Sequence, residues 1–505
     1  MALLQGYPKA RDRTGRMKGH EREVRPSRSA YFKAAGLNFF LLQILFLGLF
    51  CYIFGSIFQQ GGHTHNFNIA FVDYDGGVIG TSVRNAYAEL KADTFPSLQE
   101  HPASDYPTID QIRKSVCKTD FWGAIYILPG ASQRLESALS GSSSASTYNR
   151  SDVLAYIWNE ARYPTIADSS ISANIQTLSS AARVAYSAVN GTGVQMLNTS
   201  DHASISVFAN PWQISSINLQ PTSQGSRLIY NTLVIILILI QEFFYLGTIN
   251  GLYAQFKFYV RFLPHRIVVY RSAISLAYTL CGSLCVAGSI WAFKAGWEVN
   301  GNQFVLTWMI LWLFAHVNFQ WLDVFSVWAP PQFVPMALIT WVIFNVSSIL
   351  VPFELSPGFY RWAYAMPAHE VYLTLIDIWS AGCNPHLSYT LPILFSLEVV
   401  GFLLSALGVY RRCHYAVLAE EAQKAAFQDR LNAAMEFERR HDEEMREALE
   451  GSQEMISQAK EREELGEVIE KQDTQARKQR QRRESRACNM GPSFDLVGSK
   501  TNDSS

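Results

Sequence analysis

Six long apolar runs recur along this 505-residue chain. They occupy residues 37–58, 228–253, 267–293, 304–328, 334–351 and 391–410. A helix that crosses the hydrocarbon core of a bilayer needs roughly 20 mostly apolar residues, and soluble core helices seldom stay apolar on every face for this length. The pattern predicts a polytopic α-helical membrane protein with about six spans. The fifth run is the shortest and is bounded by Pro335 and Pro352.

The first run favours an uncleaved signal anchor over a cleaved signal peptide. It is too long, it begins far from the N-terminus, and the QQGGHTH that follows has no small-residue cleavage pattern. The chain then divides into a basic N-terminus, a first transmembrane helix, an inserted domain, a five-helix bundle and a charged tail. Their predicted limits are residues 1–36, 37–58, 59–226, 227–410 and 411–505.

Lysine and arginine near the ends of the spans predict the orientation of the chain. Residues 1–36 carry nine basic and three acidic side chains, which favours a cytosolic N-terminus. Six crossings place two further basic groups on the same side. They are the connection with Lys257, Arg261, Arg266 and Arg271, and the end of the last run at Arg411 and Arg412. Both termini are therefore expected in the cytosol.

Residues 59–226 have the pattern of a folded domain. Strand-like segments at 67–73, 121–128 and 153–159 alternate with helical ones, so we expect an inserted α/β or α+β extracytoplasmic domain between spans one and two. Asp73 and Asp75, followed by two glycines, favour a strand-terminating turn over a cation or phosphate loop. Three N-x-S/T sequons in this domain are candidates for glycosylation: Asn149, Asn190 and Asn198.

Cysteines are few for this length, seven in all. Only Cys117 and Cys383 fall in segments predicted to lie outside the cytosol, where an oxidising compartment would allow them to pair. The sequence does not have the composition of a disulfide scaffold, which favours unpaired cysteines.

Metal and catalytic motifs are incomplete. His63-x-His65 has no evident third ligand, and His369-Glu370 lacks the second histidine of a zinc-protease helix because Leu373 stands there. We therefore predict no catalytic residue, metal or cofactor, and a protein that is not an enzyme.

Ionisable side chains inside the apolar runs are the candidates for a substrate or ion pathway. These residues are Glu242, His316, Asp323 and Glu398. A charge at the bilayer centre costs roughly 2.5–3.5 kcal/mol on insertion scales, so such groups usually face a bundle interior. The alternative, which the sequence favours, is interhelical hydrogen bonding worth about 0.6–2 kcal/mol per contact.

The segment 352–385 between the last two runs is rich in aromatic residues. Charged or titratable residues are interspersed with them: Glu354, Arg361, His369 and Glu370. Aromatic rings with occasional charges favour the headgroup region. We expect interfacial or re-entrant helices that cap the outer mouth of the bundle.

The tail after residue 410 has a helix-favouring composition and is predicted to pass from helical to disordered. A coiled coil that binds protein partners and a solvated helix are both compatible with it. Its basic run at 477–486 suits contact with anionic membrane lipids. A net charge of −1 argues against a nucleic-acid partner.

Two groups of motifs resemble known families. One span followed by NIAFVDYDGG and GAIYILPGASQRL, and then by further spans, is similar in layout to the membrane subunit of type-2 ATP-binding-cassette exporters. VPFELSPGFYRWAYAMPAHEVYLTLIDIWSAGCNP at 351–385 and FLPHRIVVYR at 262–271 resemble the fungal nitrosoguanidine-resistance family of multi-pass membrane proteins.

The resemblance implies a plasma-membrane protein that exports, or helps a cell tolerate, a toxic small molecule. The chain has no G-x-x-x-x-G-K-S/T phosphate loop, so ATP-driven export would need a separate subunit. The alternative is a non-transporting membrane scaffold or a regulator of lipid distribution.

Overall fold

The structure is a computed structural model that describes residues 24–141, 143–189, 197–222, 227, 232–294, 296–330, 333–449, 466 and 468–477. The basic stretch before residue 24, the sequon at Asn190 and the basic run after residue 477 lie outside these residues. The chain divides into two compact units, Met1–Gly55 and Ser56–Ser505, which are described separately.

The described part of the first unit is helical and belongs to helix α1, which spans Val24–Ser56. It begins well before the apolar run at residue 37 and contains 33 residues, so it is about 50 Å long. Its large apolar side chains, such as Phe39 and Leu47, are exposed. The helix is long and apolar enough to cross a bilayer.

The second unit contains a five-stranded mixed sheet. The strands are β1 Asn68–Asp73, β2 Ser97–His101, β3 Gly123–Ile127, β4 Leu154–Trp158 and β5 Ser215–Asn218. Their order is β2-β1-β3-β4-β5, and only the β3–β4 pair is antiparallel. The strand-like segments in the sequence correspond to β1, β3 and β4, which are buried apolar runs. The short and more polar β2 and β5 gave no such signal.

Helices cover both faces of the sheet. They are α2 Val78–Leu90, α3 Ile109–Cys117, α4 Ala131–Leu139, α5 Ser143–Thr147, α6 Pro164–Ile166, α7 Ala173–Val189 and α8 His202–Ala209, with a π-helical turn at Ala167–Ser172 between α6 and α7. The α2 and α7 helices share one apolar core with Ile69 and Phe71, whereas α3 packs Ile112 against Ala70 and Val72 on the other face. The domain is therefore a mixed α/β sandwich.

The segment after β1 forms a turn. The Asp73 carboxylate accepts hydrogen bonds from the backbone N–H groups of Asp75 (3.1 Å) and Gly76 (2.9 Å). Gly76 has φ +64°, a conformation that glycine adopts without strain. Arg84 of α2 donates to the same carboxylate at 2.9 Å, so Asp73 is satisfied within the protein.

Four further long helices follow the sheet domain. They are α9 Leu233–Gln255, α11 Pro264–Ala292, α12 Gly301–Trp328 and α15 Leu387–Leu449. Together with α1 they make five helices, among the residues that the structure describes, that are long and apolar enough to cross a membrane. The shorter helices among them are α10 Phe258–Arg261, α13 Val334–Ser347 and α14 Pro367–Trp379, with a 3₁₀ helix at Gly358–Ala365. The architecture is that of a polytopic α-helical protein.

The predicted fifth span corresponds to α13, which is shorter than the apolar run at 334–351. Its 14 residues cover about 21 Å, less than the ~30 Å hydrocarbon core. The α13 helix begins just after α12 ends, and Asn345 near its other end accepts a hydrogen bond from the Ala368 N–H at the start of α14 (3.1 Å). It therefore runs back along α12 toward the sheet domain.

The last span and the tail are one continuous helix. The prediction divided them at residue 410, but α15 runs unbroken from Leu387 to Leu449 and includes Pro392 near its start. Residues 468–477 are helical, and the Arg477 guanidinium lies 4.7 Å from the ring centroid of Phe427 on α15. This part of the tail therefore folds back against α15.

A disulfide joins Cys117 to Cys383, so the expectation of unpaired cysteines was wrong. Cys117 ends α3 in the sheet domain, and Cys383 follows α14. The two residues are 266 positions apart, and no local pattern in the sequence indicates such a pairing. The bond fixes the sheet domain to the segment between α13 and α15.

Candidate functional site

Polar side chains line the contact between α12 and α15. His316 and Asp323 are seven residues apart on α12, and Glu398, Ser405 and Arg412 recur at the same interval on α15. A seven-residue interval returns to nearly the same face of a helix. Each set therefore forms a stripe along one side of its helix, and the two stripes face each other.

Two glycines of α15 allow this close approach. Gly401 and Gly408 lie between the polar positions, also seven residues apart. A Cβ atom at Gly408 would lie 3.0 Å from the Val327 side chain of α12, and one at Gly401 would lie 3.0 Å from Gln320. A side chain at either position would therefore require its neighbour on α12 to shift by a few tenths of an ångström.

The first group in this stripe is the arginine–aspartate cluster, formed by Arg271, Asp323 and Arg412. Asp323 Oδ1 accepts from Arg271 Nη2 at 2.5 Å and lies 2.9 Å from Arg412 Nη2. Its Oδ2 accepts from Ser405 at 2.6 Å. The Asp323 side chain is fully buried, and those of Arg271 and Arg412 are 3% and 15% exposed.

Neutral groups from α9 and α10 complete the cluster. The side-chain amide oxygen of Asn250 (Oδ1) accepts hydrogen bonds from Arg271 (2.9 Å) and Arg412 (3.3 Å). The Tyr259 hydroxyl accepts from Arg412 at 3.1 Å. The cluster thus connects five helices, α9, α10, α11, α12 and α15, with two guanidinium groups and one carboxylate.

The second group is formed by the side chains of His316 and Glu398. His316 Nδ1 lies 2.6 Å from Glu398 Oε1. His316 Nε2 lies 3.3 Å from the Ser275 hydroxyl of α11 and 3.4 Å from Gln320 Nε2. The pair therefore links α11, α12 and α15 farther along the same stripe.

A small cavity separates the two groups. Its volume is about 10 Å³, which is room for about one water molecule. Polar residues on its wall are Arg271, Ser272, Ser275, Gln320 and Ser405. Because Ser275 contacts His316 and Ser405 contacts Asp323, polar atoms continue from Glu398 to Arg412 with this cavity between them.

Glu242 on α9 differs from the other predicted residues. Its side chain is fully buried, and neither carboxylate oxygen has a hydrogen-bond partner among the residues that the structure describes. Nearby, Tyr245 stacks on Tyr278 of α11 with ring centroids 3.6 Å apart. Interhelical hydrogen bonds are made by the other three predicted residues, His316, Asp323 and Glu398. Glu242 makes none among the residues that the structure describes.

The predicted interfacial segment is largely buried against protein. Glu354 Oε1 accepts from Trp122 Nε1 of the sheet domain at 3.1 Å, and its carbonyl accepts from Asn66 at 2.8 Å. His369 and Glu370 are buried on α14 with Nδ1 and Oε1 3.1 Å apart. Part of the segment, including Arg361, is exposed, and its buried part packs on protein.

Further polar contacts surround the disulfide. Asn159 donates to the Cys383 carbonyl at 3.1 Å, and Thr119 Oγ1 lies 3.2 Å from His386 Nε2. Burial lowers the pKa of His386 below its ordinary value, and nearby Arg162 lowers it further. We call this surface, centred on Glu354 and the Cys117–Cys383 disulfide, the domain junction.

A family model described as "Protein of unknown function (DUF3533)" matches residues 38–403. The match covers well over half of the chain and includes the sheet domain, the domain junction, all of α9, α11 and α12, and parts of α1 and α15. The chain belongs to this family. Arg412 lies beyond the matched residues, whereas Glu242, Arg271, His316, Asp323 and Glu398 lie within them.

A curated relative of the chain is the "Uncharacterized endoplasmic reticulum membrane protein YJR015W" of Saccharomyces cerevisiae. It is 24% identical over 285 residues, which are 54% of this chain and 54% of the relative. The chain thus spans about half the length of this relative. No solved structure matches the chain. The DUF3533 match and this membrane relative, with the five apolar helices, make the chain a multi-pass membrane protein.

Sequence reasoning found some members of the site and missed others. Arg271 and Arg412 served only to orient the spans, although both contact Asp323. The seven-residue repeat of Glu398, Ser405 and Arg412 was a usable signal, since two glycines share its period. Asn250 and Tyr259 come from other helices and gave no signal.

Proposed function

We propose that this chain is a membrane transport protein that exports toxic small molecules by coupling their movement to that of protons. The observation that carries the proposal is Glu242, a fully buried carboxyl group in a long apolar helix without a hydrogen-bond partner in the described chain. A carboxyl group whose only role was to join helices would be hydrogen-bonded to a neighbouring helix. Unsatisfied ionisable residues within a membrane are costly and commonly mark ion or substrate pathways.

The polar stripe of α12 and α15 supports the same proposal. His316 Nδ1 and Glu398 Oε1 lie 2.6 Å apart, and the polar cavity beside Ser275 has room for about one water molecule. The small size of this cavity means that a substrate needs helix movement to pass. The expected cycle therefore alternates between this closed arrangement and an open one.

We also infer that the sheet domain lies outside the cytosol and that both termini lie inside. Disulfides such as Cys117–Cys383 persist in oxidising compartments. Basic residues gather at the opposite end of the bundle, where Lys257 and Arg261 border α10 and Arg411 stacks on Trp328. In this orientation α13, extended by residues 348–351, makes the sixth crossing.

Glycan mapping tests the orientation. Asn149 and Asn198 are exposed in the sheet domain, so both should carry glycans when the chain is made in a eukaryotic cell. Endoglycosidase treatment should increase gel mobility, and N149Q and N198Q should each remove one glycan. The tail contains a further sequon at Asn502 that should remain unmodified. A glycan at Asn502 alone would indicate the opposite orientation, with the tail outside the cytosol.

Glu242→Gln tests the transport proposal. The amide keeps the size of the side chain but neither binds nor releases a proton, so drug efflux driven by a pH gradient should fall to the level of protein-free liposomes. Thermal stability should be unchanged, because Glu242 makes no hydrogen bond in the described chain. The measurement is flux of a fluorescent drug in proteoliposomes with and without the gradient.

Glu298→Gln is the matched control, since Glu298 is an exposed acid in the loop before α12. Its flux should equal that of the unaltered chain. Normal flux in Glu242→Gln would show that Glu242 is not part of the proton pathway. Absence of flux in the unaltered chain would instead support a scaffold or a regulator of lipid distribution.

A further inference from the structure

The arginine–aspartate cluster carries an unbalanced positive charge. Arg271 and Arg412 supply two cations, and Asp323 is the only acid within ion-pair distance of either guanidinium among the described residues. The remaining contacts, from Asn250, Tyr259 and serine hydroxyls, are neutral. A buried charge without a counter-charge is strongly destabilising, so this arrangement favours an additional anion.

The cavity provides a place for that anion. Arg271 lies on its wall, and the Nε atom of Arg271 is buried without a hydrogen-bond partner in the described chain. Ser272, Ser275 and Ser405 line the same cavity, but the Ser275 hydroxyl donates to the Ser272 carbonyl (3.0 Å) and the Ser405 hydroxyl donates to Asp323 (2.6 Å). The Arg271 guanidinium is therefore the donor that faces the anion, and arginine N–H groups form strong charge-assisted hydrogen bonds with phosphate oxygens.

The surroundings of the cavity indicate how the anion arrives. Phe402 on its rim is exposed, and Ala406 and Val268 are partly exposed between α15 and α11. Beyond the rim, Val269 and Leu403 present exposed apolar side chains. In a multi-pass membrane protein such a surface faces lipid tails, so the cavity opens sideways toward the bilayer.

We propose that this cavity is a binding site for a phosphate group, entered from the bilayer by the head of an anionic phospholipid. The cavity of about 10 Å³ accommodates an oxygen of the phosphate and not the whole headgroup. The acyl chains would remain against the apolar rim. Basic residues at this end of the bundle, such as Lys257 and Arg261, are exposed and attract anionic lipid to it.

Ligand titration of the full purified chain in neutral detergent tests this site. The probes are dioctanoyl phosphatidate, dioctanoyl phosphatidylcholine and inorganic phosphate, with bound species counted by native mass spectrometry. Phosphatidate should bind at least about tenfold more tightly than phosphatidylcholine, because its headgroup has a net negative charge, whereas the choline cation of phosphatidylcholine cancels the charge of its phosphate. Displacement by inorganic phosphate would identify free phosphate as an alternative source for the same site.

Two variants and one control make the test specific. Ala406→Leu fills the cavity and leaves every charge in place, and Arg271→Gln removes the excess charge but leaves Asp323 paired with Arg412. Both should lose the preference for phosphatidate. Arg266→Gln, an exposed arginine on the same helix, should retain it.

Three outcomes would overturn the proposal. The first is equal binding of phosphatidate and phosphatidylcholine. The second is unchanged binding in Ala406→Leu, and the third is an equal loss in Arg266→Gln and Arg271→Gln, which would indicate general surface attraction. All of these readouts are independent of drug flux.

Discussion

Replacement of Asp323 by asparagine should destabilise the helix bundle by about 3–5 kcal/mol, because it leaves two buried guanidinium groups without an acid. The amide retains the shape of the side chain, so the effect comes from charge and not from a cavity. The expected result is a lower melting temperature of the purified protein in detergent and a smaller yield of monodisperse material. Fluorescence-detected size exclusion after heating measures both.

The double variant Arg271→Gln/Asp323→Asn separates charge from general damage. It leaves one buried cation in place of two, so it should be more stable than Asp323→Asn alone. Glu298→Gln removes an exposed acid and should melt as the unaltered chain does. If Asp323→Asn melts at the unaltered temperature, the arginine–aspartate cluster does not hold the bundle together.

The second large effect is expected for the disulfide. Removal of Cys117 and Cys383 together, as C117A/C383A, should cost about 2–5 kcal/mol, because the bond closes a loop across the domain junction. The sheet domain should then separate from the segment before α15. Faster hydrogen exchange in α3 and around Trp122 would report this separation.

Cys281 and Cys285 provide the matched control, since both are free and exposed on α11. The variant C281A/C285A removes the same number of thiols and should exchange hydrogen as the unaltered chain does. An unchanged exchange rate in C117A/C383A would mean that Trp122–Glu354 and the neighbouring contacts hold the domain junction without the disulfide.

Hydropathy predicted most of the membrane architecture because a long helix in lipid must be apolar along its whole length. The runs that contain Glu242 and Asp323 became helices α9 and α12. The apolar run at 334–351 is longer than the helix within it, because α13 ends at Ser347. Composition records hydrophobicity, whereas helix length also depends on where the backbone turns.

Contacts between distant parts of the chain were not predictable in the same way. His316 and Asp323 were expected on one helix face, which follows from their spacing alone. Their partners Glu398 and Arg271 depend on how three helices pack, and a single sequence does not specify that packing. The disulfide was not predictable for the same reason, because its two cysteines are close only in the folded chain.

The unbroken helix α15 has a mechanical consequence. Glu398 and Arg412 sit within the bundle, and the same helix continues for 37 residues beyond Arg412 to Leu449, a distance of about 55 Å. A rod of this length acts as a lever, so a small tilt of the last span swings its far end by several times the displacement at Arg412. A molecule that binds the far end of α15 would therefore be displaced by, or would oppose, a rearrangement of the polar contacts within the bundle.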